Sequence, residues 1–258
     1  MKHFSSFDDL DLVYLEVGEG EPVILLHGFA ADHASNWVAT GVVDRLVESG
    51  RRVLAPDARG HGASAKPHDP SAYANDAMAR DVQSLMDHAS LESVDVVGYS
   101  MGAIVAGRLA NRDDRVRSLV LGGVGGDWGG EQRPLGTLPI AEALETESPS
   151  DIASPVAAAF RRFADSTGAD RFALAAHSRS RNGETTDVGA IAVPTLILVG
   201  DTDQLAGSPE KLAKKIPGAA FRVLHGNHLS AVRDPQFSES IVTFVNSISK
   251  TSSTQERN

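Results

Sequence analysis

The pentapeptide Gly98–Gly102, which reads Gly-Tyr-Ser-Met-Gly, places a serine where it could act as a nucleophile. It directly follows the apolar run Val94–Val97 and precedes a helical stretch at Ala103–Asn111. This sequence between a strand and a helix is typical of a sharp turn that exposes the serine hydroxyl, because the glycines remove Cβ atoms that would clash. We predict that Ser100 is the nucleophile of an acyl-transfer reaction; the alternative is a serine that only caps the following helix.

A serine hydroxyl needs a neighbouring base, and His228 is the best placed of the nine histidines. It lies between the strand-like run Ala220–Leu224 and the last helical pattern, so its loop can reach the sheet edge that carries Ser100. His225 is the alternative, but its position at the end of a strand indicates half-buried packing. We therefore predict that His228 takes the proton from the serine.

An acidic side chain must orient the imidazole and stabilise its cation. Asp201 and Asp203 follow the apolar run Thr195–Val199, and Asp127 is a further candidate after an earlier apolar run. We favour Asp203 as the catalytic acid and expect Asp201 to cap the turn.

The turn after the apolar run Pro22–Leu26 could stabilise the negative charge that develops on a substrate carbonyl. It begins with His27, Gly28 and Phe29. The glycine lets the backbone turn so that the N–H of Phe29 points toward the serine, where it and the N–H of Met101 would form an oxyanion hole. We expect His27 to be a hydrogen-bonded structural residue rather than a base.

A sheet is expected to position these loops. Short apolar runs alternate with helical patterns along most of the chain. Such alternation is typical of an α/β protein with a doubly wound, mostly parallel sheet. An earlier segment, Leu10–Val17, alternates apolar and polar residues and is predicted to be an antiparallel edge strand. The other strand-like runs are Pro22–Leu26, Arg52–Ala55, Val94–Val97, Arg117–Leu121, Thr195–Val199 and Ala220–Leu224.

Residues 127–190 interrupt this alternation, because they contain helical patterns and no strand-like run. The segment is too long for a plain loop. We predict a helical cap at 127–190, inserted after strand 6 of a core that comprises residues 1–126 and 191–250. The polar tail, residues 251–258, is predicted to be frayed.

Apolar side chains of the cap are expected to line the substrate pocket. The residues predicted to contact substrate are Trp128, Leu138, Phe160 and Phe163. Arginines of the cap could bind a substrate carboxylate, but the segment carries six basic residues against ten acidic ones, which argues against a strongly cationic pocket.

The composition excludes several classes of function. The 258-residue chain has no cysteine, which excludes disulfides, thiol nucleophiles and cysteine-ligated metals. Its formal charge of −10 argues against nucleic-acid binding. It contains no apolar run near the ~20 residues that span a bilayer and no apolar secretory segment. We expect a cytoplasmic monomer or homodimer that binds a small-molecule ester, with no metal, cofactor or membrane partner.

Over nearly its whole length, the chain resembles the α/β-hydrolase fold superfamily. The resemblance implies a mostly parallel sheet of about eight strands with a helical cap. It is strongest for the small-capped branch of carboxylesterases, lactonases, carbon–carbon bond hydrolases and cofactor-free haloperoxidases. The matching segments, in the superfamily's order of nucleophile, acid and base, are His27–Phe29, the Asp57–Ser64 loop, Gly98–Gly102, Gly200-x-x-Asp203 and His228.

The motifs and the resemblance together predict a serine hydrolase that cleaves a carboxylic ester, lactone or thioester of a small, largely apolar substrate through an acyl-serine intermediate. The alternatives are a carbon–carbon bond hydrolase, a cofactor-free haloperoxidase or perhydrolase on the same triad, and a small-molecule receptor with the hydrolase fold. The Asp57–Ser64 loop is expected to lock the structure, with substrate contact as its alternative role.

Overall fold

The computed structural model describes residues 1–126, 128, 139–180 and 186–255, with side chains described as far as residue 248. The strands in these residues form one eight-stranded sheet. They are β1 (Lys2–Ser5), β2 (Asp11–Val17), β3 (Glu21–Leu26), β4 (Arg51–Pro56), β5 (Val94–Tyr99), β6 (Val116–Gly122), β7 (Thr195–Gly200) and β8 (Ala220–Leu224).

The strand order across the sheet is β1-β2-β4-β3-β5-β6-β7-β8. Strand β2 pairs antiparallel with both β1 and β4, and all other neighbours are parallel. The predicted fold class is confirmed. The prediction of β2 as an edge strand is wrong, because β1 lies outside it. Strand β1 has four residues, of which only Phe4 is buried, so it has no recognisable apolar run.

Helices cover both faces of the central strands, which explains why these strands are continuously apolar. In β3, Val23 and Leu25 face one core with α1 and α8, whereas Ile24 and Leu26 face the other core with α2, α3 and α7. These helices are α1 (Val42–Glu48), α2 (Ala77–His88), α3 (Met101–Ala110), α7 (Pro209–Ala213) and α8 (Pro235–Gln255).

Three further helices lie between β6 and β7, in the segment predicted to be a cap. They are α4 (Ile140–Glu145), α5 (Pro155–Thr167) and α6 (Arg171–Arg179). Helix α4 packs against α5 and α6, and buried Leu144 of α4 and Leu174 of α6 belong to the same apolar core as α2 and α3. Helix α8 continues to Gln255, into the tail that was predicted to fray.

Candidate active site

Ser100 lies in a strained turn between β5 and α3, with φ 52° and ψ −109°. The flanking glycines make this turn sterically feasible. A Cβ atom on Gly98 would lie 2.3 Å from the carbonyl oxygen of Gly102, and one on Gly102 would lie 1.9 Å from that of Leu26. The backbone N–H of Ser100 donates to the Gly122 carbonyl at 2.8 Å. The glycines therefore let the start of α3 lie close to the ends of β5 and β3 around the partly buried Ser100.

Ser100, His228 and Asp203 form a continuous hydrogen-bonded chain. Ser100 Oγ lies 2.9 Å from His228 Nε2, and His228 Nδ1 lies 2.8 Å from Asp203 Oδ2. The other carboxylate oxygen of Asp203 accepts hydrogen bonds from the backbone N–H groups of Leu205 and Ala206, both at 3.0 Å. Because both carboxylate oxygens have partners, the orientation of the acid is fixed, and it holds the imidazole with Nε2 toward the serine.

The alternative candidates for the base and the acid do not belong to this hydrogen-bonded chain. His225 is on the loop after β8, with its side chain 91% exposed, so the predicted half-buried packing is wrong. Strand β8 is the sheet edge and is itself mostly exposed, which explains the difference. Asp201 accepts the N–H of Gly226 at 2.9 Å, in agreement with its predicted role in the turn. Asp127 lies outside the described residues.

The two predicted oxyanion donors lie on the turns that flank the serine. Met101 is the first residue of α3, where an N–H has no carbonyl in a preceding helical turn. A Cβ on Gly28, next to Phe29, would lie 3.7 Å from Ser100 Cβ, so the two turns are adjacent. Asn36 holds the glycine turn, since its Oδ1 accepts the N–H of Gly28 at 2.9 Å.

His27 is buried and structural, as predicted. Its Nε2 accepts the N–H of Ala58 at 3.0 Å, so its Nδ1 carries the proton and donates to the Gly28 carbonyl at 2.8 Å. Burial lowers the pKa of the ring below its ordinary value, which keeps it neutral. His27 therefore connects the turn that carries Phe29 to the loop after β4.

The Asp57–Ser64 loop is locked internally. Burial alone would raise the pKa of Asp57, but hydrogen bonds from His33 and Ala63 outweigh it and lower the pKa to about 2. The Ser64 hydroxyl donates to the Asp57 carbonyl at 2.6 Å. The guanidinium of Arg59 is buried and forms ion pairs with Asp81 and Asp8. The expectation of a structural lock is confirmed.

Phe29 packs against a buried cluster of aromatic and imidazole rings that no sequence pattern predicted. The ring of His61 lies 5.9 Å from that of Phe29 and 6.1 Å from that of His177 on α6. His61 Nδ1 donates to the Arg59 carbonyl at 3.0 Å, while its buried Nε2 has no hydrogen-bond partner among the described residues. Burial lowers the pKa of His61 to about 3. The cluster packs the cap segment onto the oxyanion turn.

One pocket has Ser100 and His228 in its wall. Phe160 and Phe163 of α5 line it, as predicted. The sequence patterns did not indicate several further lining residues, among them Asn36, Leu229 and Arg233. Leu229 and Arg233 closely follow His228 in the sequence. Their position next to the predicted base is the signal that could have identified them.

The other two predicted pocket residues are not found there. Trp128 is buried against α3, and a Cβ on Gly107 would lie 2.5 Å from its indole ring. Trp128 is not among the described residues that line the pocket. Its position therefore does not support the prediction of substrate contact. Leu138 lies outside the described residues.

The described part of the chain contains no group of three or more side chains arranged to hold a metal ion. Within the same residues, no helix combines the length and apolar character needed to cross a membrane.

Comparison with known sequences identifies the family. The alpha/beta hydrolase fold family model matches residues 21–139. The non-heme haloperoxidase of Rhodococcus erythropolis is 31% identical, over 88% of this chain and 92% of that protein. A putative non-heme chloroperoxidase of Synechocystis sp. is 35% identical over 43% of this chain, and the match spans only 40% of that relative. The chain belongs to the α/β-hydrolase fold family.

Solved structures agree with this assignment. A hydrolase from Pseudomonas aeruginosa PA01 superposes with a TM-score of 0.78 at 27% identity, covering 95% of this chain and 97% of that one. A thermophilic esterase from Thermogutta terrifontis, solved with malate bound, superposes with a TM-score of 0.75 at 26% identity, covering 96% and 98%. These proteins thus share the α/β-hydrolase fold with this chain.

Proposed function

We propose that this protein is a serine hydrolase that cleaves small carboxylic esters through an acyl-serine intermediate. The observation that carries the proposal is the hydrogen-bonded chain from Ser100 Oγ to His228 Nε2 at 2.9 Å and from His228 Nδ1 to Asp203 at 2.8 Å. An alcohol oxygen becomes a useful nucleophile when a neutral imidazole nitrogen can take its proton, and a carboxylate then stabilises the imidazolium.

The proposed reaction has two steps that use the same groups. Ser100 Oγ attacks the carbonyl carbon while His228 takes its proton, and the N–H groups of Phe29 and Met101 stabilise the oxyanion. His228 then protonates the departing alkoxide, which leaves as the alcohol. In the second step a water molecule loses a proton to His228 and attacks the acyl-serine, and return of that proton to Ser100 releases the acid.

The pocket supports a short or medium acyl group. Its wall is largely apolar, and the side chains of Phe160, Phe163, Leu229 and Val232 contribute much of it. Apolar walls bind alkyl or aryl groups and help to exclude water from the acyl-enzyme.

A panel of p-nitrophenyl esters of increasing acyl length tests the proposal, with labelling by a fluorophosphonate probe as a second readout. We expect turnover of the shorter esters and probe attachment at Ser100. Ser100→Ala should lower kcat by at least about 10³-fold and abolish labelling, because it removes the hydroxyl that is hydrogen-bonded to His228. Ser150→Ala, an exposed serine in the loop before α5, is the matched control. Wild-type activity in Ser100→Ala would disprove the proposal.

A second candidate is perhydrolysis on the same triad, and the named activity of the Rhodococcus haloperoxidase favours it. Here hydrogen peroxide, in place of water, would attack the acyl-serine and release a peracid, which oxidises halide outside the enzyme. Peroxide-dependent bromination of a phenolic dye in acetate buffer, at a rate above that of ester hydrolysis, would favour this reaction over hydrolysis.

A further inference from the structure

The substrate pocket contains one permanent charge among its described lining residues, that of Arg233. Arg233 ends the short 3-10 helix Ala231–Arg233, which follows the loop of His228. Ala231 and Val232 are buried and anchor this helix to the core, whereas Arg233 is exposed. The backbone that carries the guanidinium is therefore held at a fixed place beside the base.

Arg233 does not take part in an ion pair with any described residue. No carboxylate lies within ion-pair distance of it in the part of the chain that the structure describes. The adjacent Asp234 directs its carboxylate to backbone groups instead, and accepts the N–H groups of His225 at 2.8 Å and Gln236 at 2.9 Å. A cation in the wall of an apolar pocket that has no ion-pair partner among the described residues is available to a ligand.

Two arginines of the cap, in contrast, hold its helices together. Arg161 pairs with Asp165 at 3.0 Å and donates to the Ala143 carbonyl at 3.0 Å. Arg179 pairs with Glu145 on α4. These guanidinium groups have protein partners, so a carboxylate site on the cap is less well supported than one at Arg233.

We propose that Arg233 binds a carboxylate of the substrate, and that the natural substrate is an ester with a free carboxylate. This inference rests on the proposed ester hydrolysis and adds the substrate class. A guanidinium forms two parallel hydrogen bonds with a carboxylate, which orients the ligand as well as attracting it. In a chain of formal charge −10, a cation at the pocket rim also offsets the repulsion of an anionic substrate.

Two matched ester pairs test which part of the substrate carries the carboxylate. The first pair is the p-nitrophenyl ester of adipic acid with its other end as the free acid or as the carboxamide. The second pair is 4-butanoyloxybenzoate and 4-butanoyloxybenzamide, with the charge on the leaving group. We expect kcat/KM to be roughly tenfold higher for the anionic member of at least one pair, and this preference to fall with added salt.

Variants separate Arg233 from general electrostatics. Arg233→Gln should lower kcat/KM for the preferred anionic ester about tenfold more than for its neutral partner, and Arg233→Lys should restore part of the preference. Arg162→Gln removes an exposed charge of α5 outside the described pocket lining and should leave both rates unchanged.

The outcomes distinguish the two proposals. If every ester is inert and Ser100 is not labelled by the fluorophosphonate probe, the proposed function itself fails. If esters are hydrolysed but both pairs give equal kcat/KM values, or if Arg233→Gln keeps the preference for the anion, the ester hydrolase stands and the assignment of Arg233 is overturned.

Discussion

The hydroxyl of Tyr99 donates a hydrogen bond of 2.7 Å to the carbonyl oxygen of His228. Tyr99 directly precedes the nucleophile on β5, so this bond joins the strand that carries Ser100 to the loop that carries the base. Burial, together with the nearby charge of Asp203, raises the pKa of Tyr99 above its ordinary value, and the phenol stays a neutral donor. The base is therefore positioned through its backbone as well as through its ring.

Tyr99→Phe should lower kcat several-fold with little change in KM, because the His228 loop loses its hydrogen bond to β5. It should also cost about 1 kcal/mol of unfolding free energy, since a buried carbonyl is left without a partner. Ester kinetics and urea denaturation measure both effects. Tyr73→Phe is the matched control, because its hydroxyl donates to the Pro67 carbonyl at 2.7 Å away from the triad. Equal losses of kcat in the two variants would contradict a positioning role.

Asn36 positions the oxyanion turn, since its Oδ1 accepts the N–H of Gly28 beside Phe29. Asn36→Leu should lower kcat about tenfold, because a turn that shifts by a fraction of an ångström misplaces the Phe29 N–H. Circular dichroism should show an intact fold. Asn111→Leu serves as the control. The side-chain amide of Asn111 donates to the Asp187 carbonyl at the C-terminal end of α3, away from Ser100. An unchanged kcat in Asn36→Leu would rule out this role.

Gly102 cannot accept a side chain, because a Cβ there would lie 1.9 Å from the Leu26 carbonyl oxygen. Gly102→Ala should lower the unfolding free energy by about 3 kcal/mol or prevent folding, since backbone must move to relieve the clash. Gly168→Ala provides the comparison. Gly168 has a φ of +68° but open space around it, so alanine should cost only about 1 kcal/mol. Urea denaturation of both variants checks the difference, and equal midpoints would refute it.

Buried His61 should make the protein less stable in acid. Its pKa is about 3 in the folded chain against an ordinary value of 6.5, so between these values the unfolded chain binds one more proton. Stability from this group is therefore complete above pH 6.5 and falls by about 1.4 kcal/mol per pH unit down to about pH 3.

Replacing this histidine should remove that dependence. We expect His61→Gln to be less stable than wild type at pH 7.5, because the ring packs against Phe29 and His177. The difference should shrink steadily as the pH falls from 6.5 to 4.5. Urea denaturation at several pH values gives the slope. A stability difference that does not change with pH would show that His61 does not titrate as its burial implies.

Local sequence patterns were sufficient to predict most strands of the sheet. The apolar runs predicted seven of the eight strands, because strands covered on both faces need apolar residues at successive positions. Strand β1 was missed because it is short and buries only Phe4. The turn with Asn36 was missed because it is a single π-helical turn, Ala34–Val38, with no apolar periodicity to reveal it.

The sequence by itself determined the sheet, the elbow at Ser100 and the candidate base and acid, because each depends on residues adjacent in the chain. Only the tertiary structure decided that Trp128 packs on α3, that Arg161 and Arg179 pair within the cap, and that Arg233 lines the pocket with no ion-pair partner among the described residues. Those outcomes depend on which distant segments meet, and a side chain's charge is available to a ligand only when no folded neighbour neutralises it.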